Sequence, residues 1–338
     1  MPVQKPSNSE CHASALRRLA AEVSGSALFD EPLARHNSWR IGGPADLLIE
    51  PDDPLQVGAV VRFARLRRIP LVVIGQGTNL LFDDAGVRGI VLKIGARMAE
   101  IRIEGQRILA EGGVWVPQLA RLAMGAGLTG LEHCIGIPGT LGGLVMMNGG
   151  SQRRGIGENI KQVWVVSASG EQQLLSRADC QFSYRHSALQ GSGAVVVKAE
   201  LECRPGDIAA IRREMVCDLR TRRHKFPRKQ PNCGSVFLSS AEMHAGVGPP
   251  GKIIEAAGLK GTRIGRAEIS RQHANFIVNL GGAASADVLA LIGHVRRRIR
   301  QTIGFELDCE VRYVSPDGRV FPAHRQADPV AAQSAPLS

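Results

Sequence analysis

Three kinds of residue in this chain are suited to chemistry. The first are glycine-rich turns. The stretch Gly127-Leu-Thr-Gly-Leu-Glu-His-Cys-Ile-Gly-Ile-Pro-Gly-Thr-Leu-Gly-Gly143 places Gly136, Gly139, Gly142 and Gly143 around Pro138, with Ile137 between. Glycine permits positive φ and close approach of a ligand to the backbone, and Pro138 stiffens the middle of the loop. Successive inward N–H groups form a nest for phosphate oxygens, to which a helix start would add its positive end. Thr140 to Met147 reads as such a start. A second turn, Gly75-Gln76-Gly77-Thr78-Asn79-Leu80-Leu81, follows the apolar run Ile69 to Ile74. It begins like a dinucleotide fingerprint, but Leu80 stands where the third glycine belongs, so a Rossmann unit is disfavoured. Glycine content alone leaves a phosphate nest and a tight packing connection both open; two such loops fit a pyrophosphate held between backbone amides from each.

The second kind is Arg185, in Phe182-Ser-Tyr-Arg-His-Ser187. Its planar fork suits a carboxylate, although on the residues alone a surface arginine on a loop is the favoured reading. The third kind is a pair of proton-handling groups. Ser235 lies in Asn232-Cys-Gly-Ser-Val-Phe237, and Glu310 lies on the alternating run Phe305 to Val314. A serine hydroxyl delivers a proton only to a strongly basic carbon within hydrogen-bond reach. A turn serine and a solvated strand carboxylate beside Arg312 are the bland alternatives.

The elements that must position these groups follow from periodicity and caps. Helices are expected over Ala13–Val23, Pro54–Arg68, Trp115–Met124 and Asp207–Arg223, the last with Ile208, Ile211, Met215 and Leu219 in register. A final helix is expected from Ser285, its N-cap, burying Val288, Leu291, Ile292, Val295, Ile299 and Ile303 before Gly304 stops it. Strands are expected over Ala45–Glu50, Ile69–Ile74, Gly89–Ile94, Ala194–Glu202 and Phe305–Val314. Hairpins turn at Gly105-Gln106 and Ser169-Gly170.

The chain has 338 residues, 44% apolar and 22% charged, a composition of globular domains. No apolar run reaches the ~18 residues that cross a bilayer, and the polar N-terminus has no secretory core. Seven scattered cysteines without C-x-x-C spacing imply reduced thiols and no zinc site, hence a cytoplasmic setting. Net charge is 42 − 31 = +11, with nine Lys/Arg against three Asp/Glu between Arg204 and Lys229. Such charge attracts nucleic acid or steers an anionic nucleotide. Only Phe226 interleaves there, which disfavours a single-strand stacking platform.

Asn37-Ser-Trp-Arg-Ile-Gly-Gly-Pro-Ala45, the Gly75 loop and Gly136-Ile-Pro-Gly-Thr-Leu-Gly-Gly143 together resemble the FAD domain of the UDP-N-acetylenolpyruvoylglucosamine reductase (UDP-N-acetylmuramate dehydrogenase) family. The resemblance spans residues 30 to 314, and matches its shorter subtype, without the added tyrosine loop after Arg185. It implies an α+β fold: an FAD-binding domain of the vanillyl-alcohol oxidase type, then a smaller α+β substrate-binding domain. The expected spans are an N-terminal extension (1–28), the FAD domain (29–204), the substrate domain (205–304), a strand returning to the active site (305–314) and a disordered tail (315–338). It implies non-covalent FAD held by Arg40, Gly75, Gln76, Gly77, Thr78, Asn79, Leu80, Gly136, Ile137, Pro138, Gly139, Gly142 and Gly143, with NADPH as hydride donor and no metal. His133 in the flavin loop carries no tether in this family. It also implies that Arg185, Ser235 and Glu310 are catalytic: Arg185 and Glu310 stabilise an enolate-like carboxylate, and Ser235 protonates the adjacent carbon. A nucleotide-sugar would contact Tyr184, Asn232, Gly234, Ser239, Lys252, Gln272 and Asn275. Cys233 is read as packing, and His273 as either a substrate contact or a structural histidine.

Two stretches depart from the family pattern. Leu238-Ser-Ser240 replaces Lys-Asn-Pro after Phe237, so Ser239 stands for the usual asparagine. Asn148-Gly-Gly-Ser-Gln-Arg-Arg-Gly155 replaces Asn-Ala-Gly-Ala. The alternatives to the reductase are an FAD-dependent oxidase or dehydrogenase of another substrate, and a non-catalytic basic nucleotide-binding module. A monomer or weak oligomer, without nucleic-acid or membrane partners, is expected.

Overall fold

A computed structural model of the chain describes residues 8–151, 154–240, 243 and 245–327. The chain forms two compact units, each built from separate stretches rather than from the contiguous spans read from the sequence. The first comprises Met1–Glu31, Asp46–Gly75 and Gly89–Met215; the second comprises Pro32–Ala45, Gln76–Arg88 and Val216–Ser338.

The first unit holds two sheets. A four-stranded sheet has the order Ser26–Pro32, Pro44–Glu50, Val87–Lys93, Leu71–Ile74, with the last two strands parallel. The helix Pro54–Arg67 precedes Leu71–Ile74 and begins where expected. Asp53 Oδ1 accepts from the N–H of Leu55 (2.7 Å) and Gln56 (2.9 Å), and Pro54 needs no partner at the first turn. The N-terminal helix, Asn8–Glu22, starts before the expected Ala13. It is no loose extension: Ala15, Leu16 and Leu19 are buried in one core with Val57, Val60, Ile90 and Leu92.

The second sheet has five antiparallel strands in the order Gln172–Ser176, Ile160–Val166, Val195–Glu202, Arg107–Glu111, Ile101–Glu104. Its alternating side chains, among them Ile108, Ala110, Val163, Val165, Ala199 and Leu201, pack against the helices Val116–Gly125 and Leu141–Met146. Those helices carry the main glycine loop between them.

The second unit surrounds the helix Ser285–Ile303, whose Val288, Leu291, Ile292, Val295 and Ile299 join Trp39, Leu81, Phe237, Ile253 and Ile277 in one core. Ile303, expected in that row, is 44% exposed, because the row ends one turn before Gly304 stops the helix in the left-handed region (φ 68°). The N-cap is Ala284, not Ser285. Asp287 accepts the Ala284 N–H (3.1 Å), and Asp84, distant in sequence, takes the N–H and hydroxyl of Ser285 (2.9 and 2.8 Å).

The final expected strand is shorter than read. Only Arg312–Val314 is strand, parallel to Leu80–Phe82 and antiparallel to Val320–Pro322. Period-two burial persists upstream: Leu307, Cys309 and Val311 are buried, whereas Glu306 and Asp308 are exposed. A lone bridge, Cys309 to Phe237, replaces a ladder there. The expected disordered tail is ordered through Ala327, ending in a short helix His324–Ala327; residues 328–338 lie outside the described residues. In the helix Ile208–Lys225 only Ile211 and Met215 of the expected row are buried; Ile208 and Leu219 are exposed.

Candidate active site

In the first unit the two glycine turns meet. A Cβ on Gly75 would lie 2.1 Å from Thr140 Oγ1, so only glycine allows this approach. The helix behind the loop does not offer its first amides outward, contrary to the sequence expectation. Leu141 N–H goes to Val114 O (2.8 Å), Gly142 N–H to Gly112 O (2.7 Å), and Gly143 N–H to Thr140 Oγ1 (3.4 Å). Gly142 therefore serves packing: a Cβ there would press on Gly112 O and Val196 O. The open donors lie just upstream. Among the described residues, no hydrogen bond takes the N–H of Gly136, Gly139 or Thr140, although Thr140 is buried. A buried N–H without a partner is costly, and that of Thr140, with those of the half-buried Gly136 and Gly139 (φ 142°) in the same turn, suits anionic oxygens. These residues fit the pyrophosphate of FAD. Ile137 and Pro138 carry the turn between Gly136 and Gly139.

His133, in the same stretch, is enclosed, with Nε2 3.3 Å from Cys134 Sγ. Burial is the main cause that lowers its pKa to about 4, with the Arg154 charge acting in the same direction. It is a neutral interior group at ordinary pH.

Arg185 sits at φ 54° in a tight Ser183–His186 turn, where the two residues exchange both backbone hydrogen bonds (3.0 and 3.1 Å). Its Nη1 donates to Gly150 O (3.1 Å), and its own carbonyl accepts from Gln190 Nε2 (3.0 Å). Asn148 Nδ2 donates to Ser183 O (2.7 Å), while its Oδ1 accepts from Gly157 N–H (2.9 Å). The unusual Asn148-Gly-Gly150 segment is thus a support for the arginine, a role the sequence reading did not assign. Asn148 itself takes φ 41°, and asparagine tolerates the left-handed region; that tolerance was the available signal. Tyr184 is exposed, with the Arg185 guanidinium 5.6 Å from its ring centre.

The second unit brings Ser235 and Glu310 onto adjoining backbone. Glu310 N–H donates to Val236 O (2.9 Å), one residue from Ser235. Among the described residues the Ser235 hydroxyl has no hydrogen-bond partner. Gly234, at φ 85°, follows an Asx turn in which Asn232 Oδ1 accepts its N–H (3.0 Å). Asn232 Nδ2 donates to Pro227 O (2.7 Å) and Gln230 O (2.8 Å). Asn232 therefore shapes the loop, rather than offering its amide to a ligand. Asn79 Nδ2 donates to Glu310 O (3.1 Å), and Asn79 O accepts Arg312 N–H (3.0 Å), so the Gln76–Leu80 turn is tied to the glutamate strand. Gly77, at φ 60°, lies so close to the His36 carbonyl that a Cβ would come within 2.3 Å. Thr78 extends the same turn, and Arg40 is exposed at φ 57° in the neighbouring 33–43 loop.

The remaining expected contacts divide. Lys252 is exposed on the short helix Pro250–Ala256, and Ser239 is half-buried just past the Phe237–Cys309 bridge. Gln272 Nε2 donates to His224 O (2.7 Å), at the end of the basic helix. Asn275 is turned inward: its amide bonds Phe237 N–H (2.9 Å) and Phe237 O (3.0 Å). His273 packs against Phe226 and Phe276, and its Nδ1 accepts Asn275 N–H (3.2 Å), which makes it the structural histidine. Burial lowers its pKa, helped by Lys260. Burial, then the Glu310 charge, raises the Cys233 thiol well above its ordinary value, so it is no nucleophile. No cluster of metal ligands occurs among the described residues.

Comparison with known proteins matches residues 45–176 to an FAD binding domain family, and residues 226–314 to the family described as UDP-N-acetylenolpyruvoylglucosamine reductase, C-terminal domain. UDP-N-acetylenolpyruvoylglucosamine reductase 1 of Corynebacterium glutamicum is 48% identical over 92% of this chain and 90% of its own length. The reductase of Heliobacterium modesticaldum is 42% identical over 90% of this chain and 95% of its own length. The crystal structure of UDP-N-acetylenolpyruvylglucosamine reductase (MurB) from Thermus caldophilus superposes with a TM-score of 0.71 at 29% identity, covering 86% of this chain and 98% of that one.

Proposed function

The chain belongs to the UDP-N-acetylenolpyruvoylglucosamine reductase family, and on that premise we propose that it reduces UDP-N-acetylglucosamine enolpyruvyl ether to UDP-N-acetylmuramate for peptidoglycan precursor synthesis. FAD, when bound, supplies the hydride that it takes from NADPH. Gly136, Gly139 and Thr140 would hold its pyrophosphate through N–H groups that no other described residue takes. Arg185 offers the substrate carboxylate a fixed charge, and its left-handed backbone and the Gly150 carbonyl limit where that charge can go. Glu310 stabilises the enol form of the carboxylate as charge develops. Ser235 donates the proton to the carbon beside the carboxylate.

One observation carries this reading. Ser235 and Glu310 are joined through the Glu310 N–H to Val236 O hydrogen bond, while the serine hydroxyl is left without a partner among the described residues. A donor that no acceptor among the described residues claims is what proton delivery to a bound substrate requires. Lys252 and Ser239 remain as proposed contacts to the nucleotide-sugar. The free cysteines support a reducing, cytoplasmic setting, and no helix among the described residues is long and apolar enough to cross a membrane. A monomer or weak oligomer without a nucleic-acid partner completes the proposal.

The test is anaerobic stopped-flow absorbance. NADPH should bleach the flavin, and the enolpyruvyl UDP-sugar should restore the oxidised spectrum. Ser235→Ala should bleach normally and reoxidise ~10²–10⁴ times more slowly, the usual worth of a general acid. Bleaching without reoxidation in the unaltered protein would point to another acceptor, and no flavin binding at all would remove the enzymatic reading.

A further inference from the structure

We propose that Asn275 is a positioning residue that fixes Ser235 for proton delivery, an inference that rests on Ser235 being the donor. Asn275 is 5% exposed. Its side chain acts as a missing strand partner for Phe237: Oδ1 accepts the Phe237 N–H (2.9 Å) and Nδ2 donates to the Phe237 carbonyl (3.0 Å). Its own carbonyl accepts the Val236 N–H (2.9 Å). One asparagine thus takes three of the four backbone hydrogen-bonding groups of Val236 and Phe237, the two residues directly after Ser235. It is itself held from behind, since its N–H donates to His273 Nδ1 (3.2 Å).

Val236 and the next residue but one, Leu238, are held from the other side by the Asp308–Glu310 segment. Glu310 N–H donates to Val236 O (2.9 Å), and Leu238 N–H donates to Asp308 O (2.8 Å). Ser235 therefore sits at the end of a segment clamped on both sides, with the Asn232–Gly234 turn fixing its approach. Only the hydroxyl rotor remains free to choose a direction. Removing the Asn275 amide leaves the N–H and C=O of Phe237, a fully enclosed residue, without those partners. The segment must then shift to satisfy them. Ser235 moves with the segment, and a displacement of about 1 Å at a reacting group costs ~10²-fold in rate.

The experiment is a double-mutant cycle in the stopped-flow assay, using full-length protein with Asn275→Ala, Ser235→Ala and the pair. Asn275→Ala should slow flavin reoxidation by the enolpyruvyl UDP-sugar ~10²-fold, while bleaching by NADPH stays near the unaltered rate. In the Ser235→Ala background the added Asn275→Ala should change reoxidation by only a few fold, since there is no longer a hydroxyl to position. The same ~10²-fold drop in both backgrounds, or an equal drop in bleaching, overturns the proposal. Should Asn275→Ala fail to fold, Asn275→Asp runs the same cycle: it keeps the acceptor for Phe237 N–H, loses the donor and should give an intermediate loss. Normal reoxidation by Ser235→Ala alone is a separate failure, of the donor assignment itself.

Discussion

Replacing Gly75 by alanine isolates the contact between the two glycine loops. Gly75 has no positive φ, so alanine brings no backbone strain; the cost is steric alone. The new Cβ would stand 2.1 Å from Thr140 Oγ1, 3.1 Å from its Cγ2 and 3.2 Å from its Cβ. The hydroxyl must retreat by about 1 Å to reach ordinary contact. Thr140 has little freedom to do so. It is buried, its oxygen caps Gly143, and its neighbours are tied by the Val116 to Gly139 and Leu141 to Val114 hydrogen bonds. Overpacking of this kind costs about 1–3 kcal/mol, and loss of the cap about 1 kcal/mol. Gly75→Ala should therefore destabilise the protein by about 2–3 kcal/mol and weaken FAD retention at least about tenfold. Thr140→Ala alone should cost about 1 kcal/mol. It removes the two closest atoms, so the double variant should be about 1–2 kcal/mol less unstable than the sum of its parts. Denaturant titration gives the stabilities, and quenching of flavin fluorescence gives the FAD affinity. Additive single effects, or a Gly75→Ala protein that binds FAD normally, would refute the close approach of the loops.

Other consequences are as accessible. His133 has a folded pKa near 4 against an unfolded value near 6.5, so its contribution is whole above pH 6.5 and falls away as pH drops toward 4. That loss amounts to about 3 kcal/mol at most, and His133→Gln should flatten the stability–pH curve in this window by denaturant titration at each pH. Asp84→Ala removes the acceptor for Ser285 and should cost about 1–2 kcal/mol, read as a lower midpoint of chemical unfolding. Cys217, the exposed thiol among those described, should be alkylated well before Cys134, Cys180, Cys203, Cys233 and Cys309, as mapped by peptide mass after brief labelling.

Local chemistry was legible where it is written locally. Asp53-Pro54 and Gly304 mark helix ends through their own caps, and the structure places those ends within a residue or so of the reading. The alternation from Phe305 announces a buried face, but it cannot say whether a partner strand lies alongside. Most of it finds none, and only Arg312–Val314 is ladder. The pairing of that short strand with Leu80–Phe82 has no local signature at all, which is why the units were read as contiguous. At the site, the motifs single out Arg185, Ser235 and Glu310, which remain the proposed catalytic residues. The amides of Asn232 and Asn275, expected at the substrate, meet backbone groups, which the polar motif around each does not announce. Whether such an amide meets ligand or backbone is decided by neighbours remote in sequence, here Phe237 for Asn275.

The division of the chain also bears on the order in which it can mature as it leaves the ribosome. Trp39 is fully enclosed, yet its indole N–H donates to Ile277 O (2.8 Å), 238 residues later, and its carbonyl receives Asn279 Nδ2 (2.9 Å). Ile41 and Leu81 wait for the same late partners. During synthesis this apolar early segment must stay unsatisfied while roughly two hundred further residues are added, at ~5–20 residues per second. The first unit can close its cores meanwhile, since its stretches end at Met215. Nascent chains stalled before residue 277 should therefore carry a folded first unit and an exposed Trp39 segment, the natural grip for a holding chaperone.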